Sequence, residues 1–170
     1  MPTCSENFCE LSAEMLDQAL AKIEHCVKQL NDGQIWWRPE SSMNSIGNLI
    51  LHLAGNLRQW GVTPFTLVKD KRDRASEFSA SEQSSASEIM EQLRTTVREA
   101  KSEWEHLNDT QLFRHVTIQG FDVSLMHAIM HTSHHFVGHT HQIIQLTRLQ
   151  LRNGYQFHWT PEEERGNVPV

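Results

Sequence analysis

"HAIMHTSHHFVGHTHQI", His127 to Ile143, holds six of the chain's eleven histidines within fifteen positions. Leu125, Ile129, Phe136 and Ile143 recur through it at helical spacing. On a wheel turning about 100° per residue they point within roughly 40° of one another, which marks one core-facing stripe. The stretch therefore predicts a long amphipathic helix, running from about Asp122 to Leu151. On that wheel His139 lies about 50° from the centre of the stripe, His135 about 90° and His131 about 130°. His127, His134 and His141 fall on the outer half and read as solvated surface. Inward access belongs to His135 and His139.

Working outward, three further segments carry the same periodicity. Leu11, Met15, Ala19, Ile23, Cys26 and Leu30 form a first helical stripe, and "NDG" (Asn31 to Gly33) reads as its stop. Asn44 or Ser45 is placed to cap a second helix with Ile46, Leu49, Ile50, Leu53, Leu57 and Trp60 on one face, ended by Gly61 and Pro64. "SASE" (Ser85 to Glu88) is a capping box opening a third helix with Ile89, Leu93, Val97, Ala100, Trp104 and Leu107 on one side. Residues 66 to 84 read as a polar connection. "NDTQLFRHVTIQG" reads as a second one with a short extended piece at "HVTI", and the chain from about 155 as a flexible tail. No strand pattern is long enough for a sheet. The expectation is an all-α chain, one domain over residues 1–170, folded as a four-helix bundle.

Composition narrows the function classes. The formal net charge is −6, and the one dense basic patch, "KDKRDR" (Lys69 to Arg74), is interrupted by aspartates. A nucleic-acid partner normally calls for a basic stripe, so none is expected. No apolar run reaches the roughly 20 residues of a membrane span, and the start lacks a signal-peptide pattern; a cytoplasmic location is the expectation. Cys4, Cys9 and Cys26 have no metal or redox spacing and read as two loosely placed thiols and one core residue. Met126, Met130, Val137 and Ile144 form a second apolar strip off the core face, which predicts a homodimer.

His135 and His139 are spaced i, i+4, so two imidazoles can converge on one divalent ion from adjacent turns. The spacing alone does not decide this: His127/His131 and His131/His135 share it, and packing with a satisfied hydrogen bond fits the same pair. A third ligand must come from elsewhere. His52, in "LILHLAGN", lies on the flank of the second helix's buried face, and Asn56 one turn later could support it from behind.

"WWRPESSMNSIGNLILHLAGNLRQW", followed by "DKRDRASEF" and later "HHFVGHTHQIIQLTR", resembles the DinB-like (YfiT-like) superfamily over roughly Leu11 to Leu151. That resemblance implies a four-helix bundle of up-down-down-up order, often dimeric. It also implies a divalent metal held by three histidines, here His52, His135 and His139. His141 stands where the family commonly has glycine. "DRASEF" (Asp73 to Phe78) matches a second family segment and would bring Glu77 to the mouth of the site.

Three neutral imidazoles leave coordination positions for water or substrate, the mark of a reactive rather than a structural ion. Zinc or nickel suits three nitrogens; manganese or iron more often takes a carboxylate as well. Two activities follow, hydrolysis by activated water or transfer by an activated thiolate, the latter known among relatives of the superfamily. The substrate would be a small molecule that the residues do not identify. The alternative is a non-catalytic metal-binding or stress-related four-helix protein.

Overall fold

The computed structural model describes residues 2–66, 68–80 and 84–159. Four long helical runs dominate: α1 (Cys4–Val27), α3 (Ile46–Leu57), α5 (Ala86–Trp104) and α7 (Leu125–Leu151). Short helices lie between them: α2 (Asp32–Trp36), α4 (Arg74–Ser79) and α6 (Asp109–Leu112). Two four-residue strands, β1 (His115–Ile118) and β2 (Phe121–Ser124), form a hairpin.

The helix starts are written into the sequence. Ser45 and Asn48 form a reciprocal capping box at the head of α3, and Ser85 and Glu88 do the same for α5. "NDG" behaves differently from the stop expected of it. Asn31 accepts from the Gln34 N–H and starts α2, while α1 has already ended at Val27. The start of the first stripe is also displaced: Leu11 and Met15 are exposed, and Cys9, Ser12, Leu16, Ala19 and Ile23 face the core. Two apolar rows run side by side at the head of α1, and only packing chooses between them. Cys9 and Cys26 are both buried, so one thiol, Cys4, is loose rather than two.

The helix order follows from who touches whom. The heads of α3 and α5 lie at the same end, both against α2: the Ala86 N–H donates to Asp32 and Trp36 Nε1 to the Ser84 carbonyl, while the Trp36 ring packs on Gly47. Their far ends meet, where Trp104 Nε1 donates 2.8 Å to the Gly61 carbonyl. These two helices are therefore parallel. The ends of α1 and α7 come together as well, His25 and Gln29 binding the Gln156 carbonyl. Against α1, α5 runs antiparallel: Glu24 pairs with Arg94, and Asp17 with Lys101. Against α3, α7 runs antiparallel: His52 lies by His135, and Asn56 by Thr132. Up-down-down-up is the result, and the long stretch between α3 and α5 is what parallel neighbours require.

One core cluster unites the four helices, with Leu16, Ile23, Leu53, Leu57, Leu93, Trp104, Phe136 and Ile143 all at 1% exposure or less. The α3 run does not stop at Gly61. It loosens into a π-helical turn, Arg58–Val62, and a 3₁₀ turn, Thr63–Phe65, which swing Trp60 toward α7. The fourth helix begins at Leu125, not Asp122, because Asp122 to Ser124 pair with β1. Gln119 and Gly120 both take positive φ, 53° and 84°, as a two-residue hairpin turn demands, and glycine fills the second place at no steric cost. Of the second apolar strip, Met126, Val137 and Ile144 pack partly buried against the core, leaving Met130 exposed. Tyr155 and Gln156, read as tail, are tied to α1 and α7; residues 160–170 lie outside the described part. Among the described residues no helix is long and apolar enough to cross a membrane.

Candidate metal centre

His52 sits in the middle of α3, and His135 and His139 on adjacent turns of α7. Antiparallel packing brings the two helices together at this level. The His52 and His135 Nε2 atoms are 3.2 Å apart, and those of His135 and His139 3.1 Å. One ligand atom from each lies within 4.8 Å of the others. A tetrahedral ion with metal–nitrogen bonds of about 2.0–2.1 Å needs nitrogens about 3.3–3.4 Å apart. The observed separations are close to that, so the three side chains could hold one metal ion.

The outer ring nitrogens support the same reading. Glu77 Oε2 lies 2.9 Å from His52 Nδ1, and Gln142 Oε1 2.7 Å from His139 Nδ1. Both oxygens accept, so each of these rings carries its proton on Nδ1 and leaves an Nε2 lone pair facing the common point. Three Nε2 atoms converging with at most one proton among them is an electron-rich cluster that a cation relieves. His135 differs: its Nδ1 is buried and has no hydrogen-bond partner among the described residues.

Electrostatics keeps the α7 pair neutral. Burial, then the nearby charges of His139, His52, His131 and Arg72, push the His135 pKa down to about 3. Burial also lowers His139, against the opposing effect of the hydrogen bond it donates to Gln142. Neutral imidazole is the ligating form, so the surroundings favour the state that binds. Burial would raise the Glu77 carboxyl, but hydrogen bonds from Arg72 and His52 outweigh it and hold the group below its usual range.

His131 is the residue least well placed by the helical wheel. It is half-buried, its ring 4.1 Å from that of Trp60 and 6.0 Å from that of His135, stacked between the two. The turn that carries Trp60 is π-helical, and no periodicity anticipates that. His127, His134 and His141 are exposed as expected, and none joins the cluster. Asn56 does not support His52: its Oδ1 accepts from Thr132 Oγ1 at 3.0 Å. That part falls to Glu77 instead, on a short helix inside the stretch taken for an irregular connection. Arg72, Gln142 and Trp60 belong to the site's surroundings and were not legible as such; only the position of Gln142, three residues after His139, carried a usable signal.

A cavity of about 1150 Å³ lies beneath residues 68–80, with Gly55, Arg72 and Glu77 in its wall. None of the three histidines lines it, so Arg72 and Glu77 separate it from the cluster.

The arrangement of the four helices is shared with solved structures. A conserved protein from Enterococcus faecalis superposes with a TM-score of 0.66 at 17% identity, covering 82% of this chain and 95% of its own. A DinB-like protein from Bacillus cereus does so with a TM-score of 0.61 at 15% identity, covering 80% and 90%. At those identities the likeness concerns the fold, and the DinB-like resemblance read from the sequence is borne out there. Residues 3–163 match the model of the family described as protein of unknown function (DUF1572), and the chain belongs to that family. The comparison with curated proteins returned no match.

Proposed function

We propose that His52, His135 and His139 bind one divalent ion, zinc or nickel, and that the protein is a metal-dependent enzyme acting on a small molecule, as a hydrolase or thiol transferase. The observation that carries this reading is the convergence of three Nε2 atoms at separations of 3.1 and 3.2 Å. Such an ion supplies Lewis-acid chemistry, lowering the pKa of a coordinated water or thiol and polarising a substrate oxygen. The chain's own part is to present three neutral donors in one orientation and to leave the remaining positions open. His52 is 5% exposed whereas His135 and His139 are half-buried, so access is from the α7 side. Among the described residues no carboxylate joins the cluster, which favours zinc or nickel over manganese or iron.

A cytoplasmic location and a homodimer complete the proposal; for the latter, Met130 is the exposed member of the outer strip. The test is metal content of untagged protein, followed by turnover of ester, amide and thiol-acceptor panels by wild type and His139→Ala. Metal at one ion per chain and turnover lost in the variant is the expected result. One ion per chain without turnover would leave the non-catalytic metal-binding or stress-related alternative, and no His52-dependent metal would remove both.

A further inference from the structure

His52 is the ligand supplied by α3 alone, and its ring must be fixed from outside that helix. The Glu77 carboxylate does this from α4, with Oε2 2.9 Å from Nδ1. Both side chains are under 9% exposed. Glu77 is itself gripped by Arg72, whose Nε reaches Oε1 at 2.7 Å and whose Nη2 reaches Oε2 at 2.8 Å. The arginine is in turn anchored by Gln59 Oε1, 2.8 Å from Nη1. Nη2 also lies 3.0 Å from His52 Nδ1, but an unprotonated Nδ1 would set its lone pair against the Oε2 lone pairs 2.9 Å away, so the proton sits on Nδ1 and goes to Glu77.

The carboxylate fits because α3 has no side chain where it lies. A Cβ on Gly55 would overlap Glu77 Oε1 and stand 2.9 Å from its Cδ and 3.0 Å from Arg72 Nε. With both oxygens held by Arg72, the glutamate cannot swing aside without breaking the pair. The short helix α4 is fixed from below as well. Asn48 Nδ2 donates to the Glu77 carbonyl at 2.9 Å and the Ala80 carbonyl at 3.0 Å, and Arg38 Nη2 to the Phe78 carbonyl at 3.1 Å. Six residues of helix would not persist alone. These bonds fix α4 with Glu77 facing His52.

We propose that Glu77, clamped by Arg72 in the notch left by Gly55, is a positioning residue that fixes the His52 Nδ1–H tautomer and so turns the Nε2 lone pair toward His135 and His139. This rests on the metal-site reading above for its consequence, though not for the tautomer itself. Removing an outer partner of a metal-bound histidine typically costs about 10–100-fold in affinity. Glu77→Ala should therefore lower zinc affinity by about that factor, with Glu77→Gln between it and wild type because the amide oxygen still accepts. Gly55→Ala should weaken zinc to a similar degree while leaving the carboxylate in the chain.

The decisive readout is ¹⁵N NMR of the His52 imidazole in metal-free protein at about pH 8, where an unperturbed ring is neutral. The Nδ1–H form should dominate in wild type and give way to a mixture in Glu77→Ala and Gly55→Ala. An unchanged tautomer in both variants, or zinc affinity within about twofold of wild type in both, overturns the proposal; about 1–2 orders are expected. Should Glu77→Ala fail to fold by circular dichroism, Gly55→Ala decides in its place. A wild type that binds no zinc would sink the metal-site reading, and the tautomer measurement would still decide the role of Glu77.

Discussion

On the α3 side, His52 is held by residues 20 and 25 positions away in the chain, Arg72 and Glu77. On the α7 side, His139 takes its support from Gln142, one turn along the same helix, and His135 has stacking but, among the described residues, no hydrogen bond on Nδ1. One arm of the site is tertiary and charged; the other is local and neutral. The difference teaches what each arm can withstand. The α7 pair is set by helical geometry, which any sequence keeping the helix preserves. The orientation of His52 depends on an ion pair in a low-dielectric pocket, and breaking such a pair leaves an uncompensated buried charge.

The largest expected effect is loss of a ligand. His52→Ala and His139→Ala should each reduce zinc affinity by more than about 100-fold, beyond the range for an outer partner, because a three-point site has no spare donor. Calorimetric titration checks it. If His52→Ala bound as tightly as wild type, the α3 arm would be irrelevant and the comparison would collapse.

Next in size is the acid response of the metal-free protein. The folded His135 pKa is about 3 against an unperturbed value of about 6.5, so below that value the unfolded chain binds the extra proton. The stability involved is present above about pH 6.5 and is lost progressively as pH falls toward about 3. His139 and His131 shift in the same direction. Denaturant midpoints between pH 7 and 4 should fall, and fall less in His135→Phe. Equal slopes for the two proteins would mean that the α7 arm is not held neutral by its surroundings.

A smaller effect belongs to the stack. An aromatic contact is worth about 0.5–1.5 kcal/mol, so His131→Ala should weaken zinc by about 2–12-fold through loosening of the His135 ring. His131→Phe should restore most of it, since a ring is needed there and a nitrogen is not. A phenylalanine variant as weak as the alanine one would instead give His131 a polar role.

Least of all should come from the outer histidines. His134→Ala and His141→Ala are expected to stay within about twofold of wild type, as surface substitutions usually do. A graded decline across these variants would indicate a diffuse histidine-rich surface in place of a site.

Hydrophobic period and caps were enough to read the four long helices. Ile46 to Trp60 and Ile89 to Trp104 bury the faces their spacing defines, and Ser45 and Ser85 start their helices as written. The meeting of His52 with His135 and His139 was also legible, the α7 pair by direction and His52 by its flank position and the family resemblance. Met15, "NDG" and Asp122 were misread for a common reason. Each had two locally acceptable conformations or faces, and the choice between them was made by neighbours distant in sequence.

What the chain by itself determined is therefore whatever depends on residues within a turn or two of each other: helix, cap, i, i+4 pair, and the Gln142 bond to His139. Only the tertiary structure decided the rest: that Glu77 and not Asn56 backs His52, that Arg72 clamps it, that Gly55 makes room, and that a π-helical turn slides Trp60 under His131. Those contacts join segments whose separation along the chain carries no period. Their geometry exists only once α3, α4 and α7 have packed, when burial makes an unpaired charge or a misplaced Cβ too costly to keep.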